Sequence, residues 1–259
     1  VAGIVFTGSR EVGYRLMSES AKTKPRPVIA ELGGKNATIV TDSANLDTAV
    51  EGVAKAAFSF SGQKCSACSR VYVQRSIKSK FLSKLIEKIR KLRIQNPKQR
   101  ESFVGPVINL NAYNSFKKYS KLASKDGNIL IGGSVIKNKD LKHGFYVEPT
   151  LVDGLPTHHS LLKKELFVPI LCITEFDNFD KALEMTNESE YGLTSGIYSN
   201  KKKEILKFLQ GIEAGVVYVN RKKSSTTGAM VGRQSFGGWK DSGTTGKGTG
   251  GRYYLTQFM

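Results

Sequence analysis

The sequence predicts an α/β fold in which helices cover mainly parallel sheets. Short runs rich in Val and Ile alternate with longer stretches of helical spacing along most of the chain, and this alternation is typical of parallel sheets. With 259 residues, 39% of them hydrophobic, the chain is long enough to bury one large core or two smaller ones. No apolar run approaches the roughly 18–20 residues that a membrane-spanning helix needs.

The first half of the chain alternates strands with helices. Strands are expected at 1–6, 27–32, 37–40 and 70–74, and helices after Ser9, after Asn45 and over 77–92. Ser9 and Asn45 are suitable N-caps, because their side-chain oxygens can accept hydrogen bonds from the first free N–H groups of a helix. Val12, Leu16 and Met17 follow Ser9 at helical spacing.

The second half continues the pattern to residue 220. Helices are expected at 110–123, 180–186 and 201–209, and strands at 128–133, 145–152, 167–176, 193–199 and 215–220. The predicted strands are rich in β-branched and aromatic residues, which favour strands. A Gly- and Thr-rich tail near residues 243–251 follows them.

The composition limits the classes of partner and compartment. The net charge is +18, from 40 Lys and Arg against 22 Asp and Glu. The basic residues lie on a helix-like segment at 78–93 and in loops, without a nucleic-acid-binding signature, so a solvated surface is favoured over a nucleic-acid site. No signal peptide or membrane partner is expected. Three cysteines do not suggest a disulfide framework, which favours a reducing, cytoplasmic setting.

Cys65 lies in the segment SGQKCSACSR, between a predicted helix and a predicted strand. A cysteine in such a loop is a candidate nucleophile, since nearby cations and free N–H groups lower a thiol pKa. The alternatives are a buried structural thiol and zinc or redox chemistry with Cys68. Zinc needs about four ligands, and the other candidates are distant single residues, so no metal site is expected.

Two further segments contain candidate residues. In ELGGKNA, Glu31 ends a predicted strand before two glycines, which makes it either a general base or an ordinary polar loop residue. In FTGSREVG, a strand, a Gly–Ser turn and a helix start could bind phosphate, although the segment lacks the GxGxxG fingerprint.

Two late segments are weaker signals when taken singly. In KKELFVPIL, Glu165 and Phe167 lie two apart at a predicted strand start and are expected on the same side. The Gly-rich segment TTGAMVGRQSFGGWKDSG, at 226–243, either binds a carboxylate through backbone N–H groups or is a flexible loop.

Taken together and in this order, the motifs resemble the aldehyde dehydrogenase family. FTGS-x-x-VG, ELGGK, GQ-x-C, E-x-F-x-P and FGG-x-K-x-SG all occur in family order, and 34 residues separate Glu31 from Cys65 as in the family. GQKCSACSR and the late Gly-rich segment are similar to the 1-pyrroline-5-carboxylate dehydrogenase branch, which oxidises glutamate semialdehyde to glutamate in proline catabolism.

The resemblance implies a role for each matching residue. Cys65 is the catalytic thiol that forms a thiohemiacetal and then a thioester, and Glu31 is the base that activates water. The cofactor is NAD, with NADP left open, and its implied contacts are Gly8, Ser9, Val12, Leu32, Gly33, Glu165 and Phe167. The implied substrate contacts are Ser66, Gly228, Ala229 and Phe236.

The resemblance also implies an incomplete subunit, since family subunits are about twice as long. Residues 1–42 are expected to be the remaining part of a Rossmann-like nucleotide-binding domain, 43–220 the catalytic thiol domain, and 221–259 a substrate-anchor loop and tail. The expected partners are an aldehyde substrate and either further copies of the chain or a second chain that supplies the N-terminal half. The alternative function is an inactive remnant that serves as a binding or structural protein.

Overall fold

The computed structural model of the protein describes residues 1–22, 24–137, 140–228 and 232–259. Its larger sheet contains β3 (Asn36–Val40), β4 (Cys68–Gln74), β5 (Asn128–Ile131), β6 (Thr150–Asp153), β7 (Ile170–Phe176), β9 (Thr194–Tyr198) and β10 (Val216–Val219). The strand order is β10-β9-β3-β4-β7-β6-β5. Every neighbouring pair is parallel except β5 with β6, which is antiparallel.

Helices cover both faces of this sheet. They are α2 (Leu46–Phe58), α3 (Lys78–Arg90), α4 (Leu110–Asp126), α5 (Ser160–Lys163), α6 (Phe179–Asn187) and α7 (Lys202–Gly211). Successive residues of a strand face opposite sides of a sheet, and β4 illustrates this: Val71 and Val73 pack with α2 and α3, whereas Tyr72 packs with α6 and α7. A third apolar cluster joins α4 to β6 and β7.

A smaller sheet precedes the large one. It consists of β1 (Ile4–Thr7) and β2 (Val28–Glu31), which are parallel and are joined by α1 (Arg10–Ala21). Ser9 caps α1, and its hydroxyl accepts a hydrogen bond from the N–H of Val12. A four-residue turn, 32–35, connects β2 directly to β3. The two sheets therefore meet at Glu31.

The tail returns to this junction. In the tail, β11 (Trp239–Lys240) pairs antiparallel with the short strand β8 (Tyr191–Gly192). Lys240 donates hydrogen bonds to the carbonyls of Asn187 and Ser189, which ties the tail to the end of α6. The tail is thereby held against the two sheets.

The predicted α/β fold with a mainly parallel sheet is confirmed, and two predicted strands were wrong at their starts. The strand expected from residue 145 begins at Thr150, and the one expected from residue 167 begins at Ile170. Phe167 has φ of 55°, a left-handed conformation that is incompatible with a strand. The domain boundaries remain predictions, although β3 places residues before 43 in the large sheet. In the described ranges no helix has the length and apolarity to cross a bilayer.

Candidate functional site

Glu31 is the last residue of β2, and hydrogen bonds with the tail hold the turn that follows it. The N–H of Leu32 donates to the carbonyl of Ser242 (2.8 Å), and the Ser242 hydroxyl donates to the carbonyl of Gly33 (2.6 Å). The N–H of Gly8, at the end of β1, donates to the carbonyl of Glu31 (3.1 Å). These hydrogen bonds fix the backbone on which the Glu31 side chain is carried.

Cys65 lies in a tight turn between α2 and β4. Before it, Phe60 and Ser61 both have φ of 56° and Gly62 has φ of 68°, a run of left-handed residues that is unusual outside glycine. The N–H of Ala67 donates to the carbonyl of Lys64 (3.0 Å), which closes the turn around Cys65. The backbone around the sulfur is therefore strongly bent and internally hydrogen-bonded.

The turn after Glu31 and the turn of Cys65 are in direct contact. A Cβ atom at Gly34 would overlap the carbonyl oxygen of Cys65, so only glycine allows this approach. The side-chain amide of Asn36, the first residue of β3, donates to the carbonyls of Cys65 (2.7 Å) and Ala67 (2.9 Å). The structure thus brings the two sequence-predicted catalytic residues to the same side of the molecule.

The electrostatic environment of Cys65 differs from the expectation that its pKa is lowered. Burial raises the pKa of the thiol, and the charges of Glu165 and Glu31 raise it further. The backbone N–H groups of Ser66 and Cys65 lower the pKa in part. The expected lowering was wrong in net effect, because burial and two carboxylates outweigh two N–H groups.

Two cations, Lys64 and Arg70, lie near Cys65 in the sequence. Lys64 donates to the Ser59 hydroxyl (2.6 Å); burial lowers its pKa to about 8, and the charge of Cys65 opposes this fall. Arg70 is buried and donates to the carbonyl of Lys35 at 2.6 and 3.0 Å. Arg70 therefore supports the turn after Glu31 rather than the sulfur.

Glu31 is half-buried, and its two carboxylate oxygens are buried without a hydrogen-bond partner. Burial raises the pKa of Glu31 to about 7, and the nearby N–H of Gly238 offsets the rise only in part. A half-buried carboxyl group with a pKa near neutral pH is suited to general-base catalysis.

Cys68 and Cys172 are built into the core. Cys68 lies 3.4 Å from the Thr38 hydroxyl and donates to the carbonyl of Arg70, so its thiol is engaged within the sheet. Burial raises the pKa of Cys172 to about 11. In the described part of the chain, no three His, Cys, Asp or Glu side chains gather as a metal site requires.

Glu165 contacts the turn of residues 32–35, which follows Glu31. Its carboxylate accepts a hydrogen bond from the N–H of Gly34 (2.9 Å), and a Cβ at Gly33 would overlap this carboxylate. A cleft of about 570 Å³ opens beside it, lined by Arg10, Glu11, Lys163, Lys164, Glu165, Glu188, Glu190 and Tyr191. The cleft joins Glu165 to the start of α1, where free N–H groups favour an anion.

The other residues predicted to contact the cofactor are not among those that line this cleft. Gly8 and Ser9 are exposed at the start of α1, and Val12 lies in its first turn. Leu32 is buried against α1, where a Cβ at Gly13 would overlap it. Phe167 is exposed and lies before the strand, which begins only at Ile170, so the strand expected at Glu165 and Phe167 was wrong. Both residues nevertheless line one small pocket.

The predicted substrate residues fall into two groups. Ser66 lies next to the late loop, because its carbonyl accepts hydrogen bonds from the hydroxyls of Thr226 (2.8 Å) and Thr227 (3.0 Å). Gly228 follows directly, and its carbonyl accepts from the Tyr218 hydroxyl (2.8 Å). Phe236 pairs with Thr249 farther along the tail. Ala229 lies outside the described residues.

Sequence reasoning missed the residues that hold the site together. They are Asn36, Arg70, Thr226, Thr227 and Ser242, and each bonds to the backbone of a catalytic turn. Asn36 lies in the ELGGKNA segment, so a polar residue at a buried strand start was a usable signal. Thr226, Thr227 and Ser242 lie in the Gly-rich segment at 226–243, but their individual roles were not predictable because their partners are distant in sequence.

Comparisons with known proteins find relatives over the whole chain. The model of the aldehyde dehydrogenase family matches residues 1–259. A 1-pyrroline-5-carboxylate dehydrogenase from Staphylococcus haemolyticus is 38% identical over 261 residues, covering 99% of this chain and 49% of that protein. The structure of a mutant of the Thermus thermophilus protein of that name has a TM-score of 0.92 and 32% identity, covering 100% of this chain and 49% of that one.

A further solved structure contains a cofactor. It is 1-pyrroline-5-carboxylate dehydrogenase from Thermus with bound NAD, with a TM-score of 0.88 and 32% identity, covering 95% of this chain and 48% of that one. The chain therefore spans about half the length of the relatives it matches.

Proposed function

Because the chain belongs to the aldehyde dehydrogenase family, we propose that it carries the catalytic thiol and the general base of an NAD-dependent aldehyde dehydrogenase. The proposed substrate is glutamate semialdehyde, the open form of 1-pyrroline-5-carboxylate, and the proposed product is glutamate. The reaction is a step of proline catabolism. NADP is left open as the cofactor.

The observation that carries the proposal is the proximity of Cys65 and Glu31 at the contact of their two turns. The turns that hold them touch at Gly34, and the charge of Glu31 acts on the Cys65 thiol. A nucleophile and a base that lie close together can divide one difficult reaction into two easier steps. Both carboxylate oxygens of Glu31 are buried without a hydrogen-bond partner, so a water molecule that enters beside them would find two free acceptors.

The proposed mechanism begins at the sulfur. The Cys65 thiolate attacks the aldehyde carbon to form a thiohemiacetal, and the backbone N–H of Cys65 donates a hydrogen bond to the resulting oxyanion. When bound, the nicotinamide dinucleotide supplies the hydride acceptor that the conversion of this adduct to a thioester requires. Glu31 then takes a proton from the water that attacks the thioester carbon, and this step releases the carboxylic acid and the thiolate.

The residues around the cleft fit the proposed cofactor. The Glu165 carboxylate can accept hydrogen bonds from ribose hydroxyls, since only one of its oxygens is engaged, by Gly34. The exposed turn of Gly8 and Ser9 at the start of α1 can bind a phosphate. Gly33 lacks the side chain that would block access beside Glu165. NADP is compatible with the same residues.

The proposed substrate site lies on the other side of Cys65. The hydroxyls of Thr226 and Thr227 bind the carbonyl of Ser66, and Gly228 follows them directly in the sequence, so the late loop begins beside the residue that follows the nucleophile. A carboxylate held there would fix an aldehyde relative to the sulfur, and such positioning can lower a barrier by several kcal/mol. Phe236 remains a proposed contact with the aliphatic part of the substrate.

The proposed activity needs more than this chain. The two-stranded sheet leaves Val5 of β1 56% exposed, whereas parallel sheets are normally covered on both faces and contain more strands. We therefore propose that activity requires a polypeptide equivalent to the other half of the relatives, joined to this chain or associated with it. Assembly of several copies is a further proposal.

The decisive experiment measures NADH formation from 1-pyrroline-5-carboxylate. We expect activity when the chain is combined with a polypeptide equivalent to the other half of its relatives, and no activity when Cys65→Ala replaces the native chain in the same mixture. If the native chain is folded but shows no activity in this mixture, the alternative of a binding or structural protein is favoured.

The substrate assignment has a separate test. Saturating glutamate should slow alkylation of Cys65 by iodoacetamide, because the product occupies the site beside the sulfur. Butyrate, which lacks the amino group and the second carboxylate, is the matched control. Equal protection by both compounds would leave an aldehyde dehydrogenase of another substrate class.

A further inference from the structure

Two backbone N–H groups lie close to the Cys65 sulfur, and each belongs to a peptide whose carbonyl is anchored. The N–H of Cys65 belongs to the peptide whose carbonyl is that of Lys64, which accepts from the N–H of Ala67 (3.0 Å). The N–H of Ser66 belongs to the peptide whose carbonyl is that of Cys65, which accepts from the Asn36 side chain (2.7 Å). The first anchor lies within the turn, and the second comes from another strand.

A peptide group is planar, and its C=O and N–H point in opposite directions when it is trans. A hydrogen bond to the Cys65 carbonyl therefore fixes the direction of the Ser66 N–H. We propose that Asn36 is a positioning residue for the nucleophile, because its side-chain amide holds the Cys65–Ser66 peptide in the orientation that points the Ser66 N–H toward the Cys65 sulfur. This inference rests on the proposed role of Cys65.

The geometry of Asn36 suits this role. The residue is 2% exposed, and its oxygen accepts a hydrogen bond from the N–H of Thr194 (3.0 Å) in β9. The amide nitrogen must then face the carbonyls of Cys65 and Ala67, which fixes the assignment of its two ends. Asn36 thereby joins the nucleophile turn to two neighbouring strands of the large sheet.

The effect on the sulfur is electrostatic. Burial and the carboxylates of Glu165 and Glu31 disfavour the thiolate, and the N–H groups of Ser66 and Cys65 oppose them. A hydrogen bond that favours the charged form of a group lowers the pKa of an acid. Asn36 also polarises the Cys65–Ser66 peptide through its carbonyl, which strengthens the N–H at the other end.

The test is the pH dependence of Cys65 alkylation by iodoacetamide, followed by mass mapping of the modified peptide. For Asn36→Ala we expect the midpoint to rise by roughly one pH unit and the rate at neutral pH to fall about tenfold. The matched control is Asn187→Ala, because Asn187 also bridges a carbonyl and an N–H, those of Gly211 and Glu213, away from Cys65. Its midpoint should equal that of the native chain.

Folding is monitored separately by circular dichroism and thermal unfolding. Where Asn36→Ala does not fold, Asn36→Ser provides the smaller change, and the same upward shift is expected because a hydroxyl cannot reach both carbonyls. An unchanged midpoint in a folded Asn36 variant overturns the proposal. The alkylation measurement needs neither cofactor nor aldehyde. A failure to form NADH would therefore contradict the proposed function and would leave the test of Asn36 unaffected.

Discussion

The turn of Cys65 and the side chain of Glu31 lie close together but are held in opposite ways. In the turn, the carbonyls of Lys64, Cys65, Ser66 and Ala67 all accept hydrogen bonds. The Glu31 carboxylate makes none, although its own backbone is well anchored. Hydrogen bonds thus fix the backbone around the nucleophile on several residues, whereas the side chain of the base is held only through its main chain.

This difference matches what each group must do in the proposed reaction. A nucleophile gains from a fixed position, because misplacement of the reacting atom by about 1 Å can cost on the order of 10²-fold in rate. A base must bind water and a proton, so its oxygens have to remain free. Burial without a partner then raises the pKa of Glu31 to about 7, close to the pH at which it would act.

The largest expected effect is the loss of the nucleophile. An activated ester such as p-nitrophenyl acetate can acylate Cys65 without any cofactor, so the chain itself can be assayed. Cys65→Ala should reduce p-nitrophenolate release by about 10⁴-fold or more, since covalent catalysis is lost. Cys172→Ala is the control, because this thiol is 1% exposed, and a comparable loss in that variant would contradict the assignment of Cys65.

The second effect separates the base from the nucleophile. Glu31→Gln should leave the first equivalent of p-nitrophenolate intact but slow the later turnovers by about 10²–10⁴-fold, because water is no longer activated. Stopped-flow absorbance resolves the two phases. Glu184→Gln, an exposed carboxylate on α6, should change neither phase; loss of the first phase in Glu31→Gln would place Glu31 in the acylation step instead.

The third effect acts on the contact between the two turns. Gly34→Ala introduces a Cβ that overlaps the Cys65 carbonyl oxygen, so the turn must shift and acylation should slow by about 10²-fold. Thermal unfolding should also detect a loss of roughly 1–3 kcal/mol from overpacking. Gly246→Ala has open space around its Cβ and is the control, and native acylation by Gly34→Ala would mean that the contact is dispensable.

The smallest effect is the pH dependence of deacylation. Because the pKa of Glu31 is about 7, its basic form increases with pH, and the steady-state rate should rise about tenfold between pH 6 and 8. The rise should vanish in Glu31→Gln.

The contribution of Glu31 to fold stability changes with pH in the opposite direction to the deacylation rate. It is present below the ordinary pKa of 4.5 and is lost as the pH rises through about 7.

The sequence was informative where the signal is local. Ser9 and Asn45 were expected as N-caps, and both accept the hydrogen bond that this role requires. The order of the motifs also indicated that Glu31 and Cys65 act together. Local spacing sufficed in these cases because caps and turns depend on residues a few positions apart.

The rest depended on contacts between distant parts of the chain. The hydrogen bond from Asn36 to Cys65 spans 29 residues, and that from Thr226 to Ser66 spans 160. The left-handed conformation of Phe60 and Phe167 was not predictable from residue type, since neither residue favours it. The net rise in the thiol pKa likewise comes from burial, which a sequence does not display.

The four-residue turn between β2 and β3 has a mechanical consequence. Glu31 is attached to the small sheet through β2, whereas Cys65 belongs to the large sheet through β4, which pairs with β3. A rotation of the small sheet against the large one would therefore displace the base while the sulfur stayed in place. The separation between proton acceptor and acyl group is thus set by the relative orientation of two sheets.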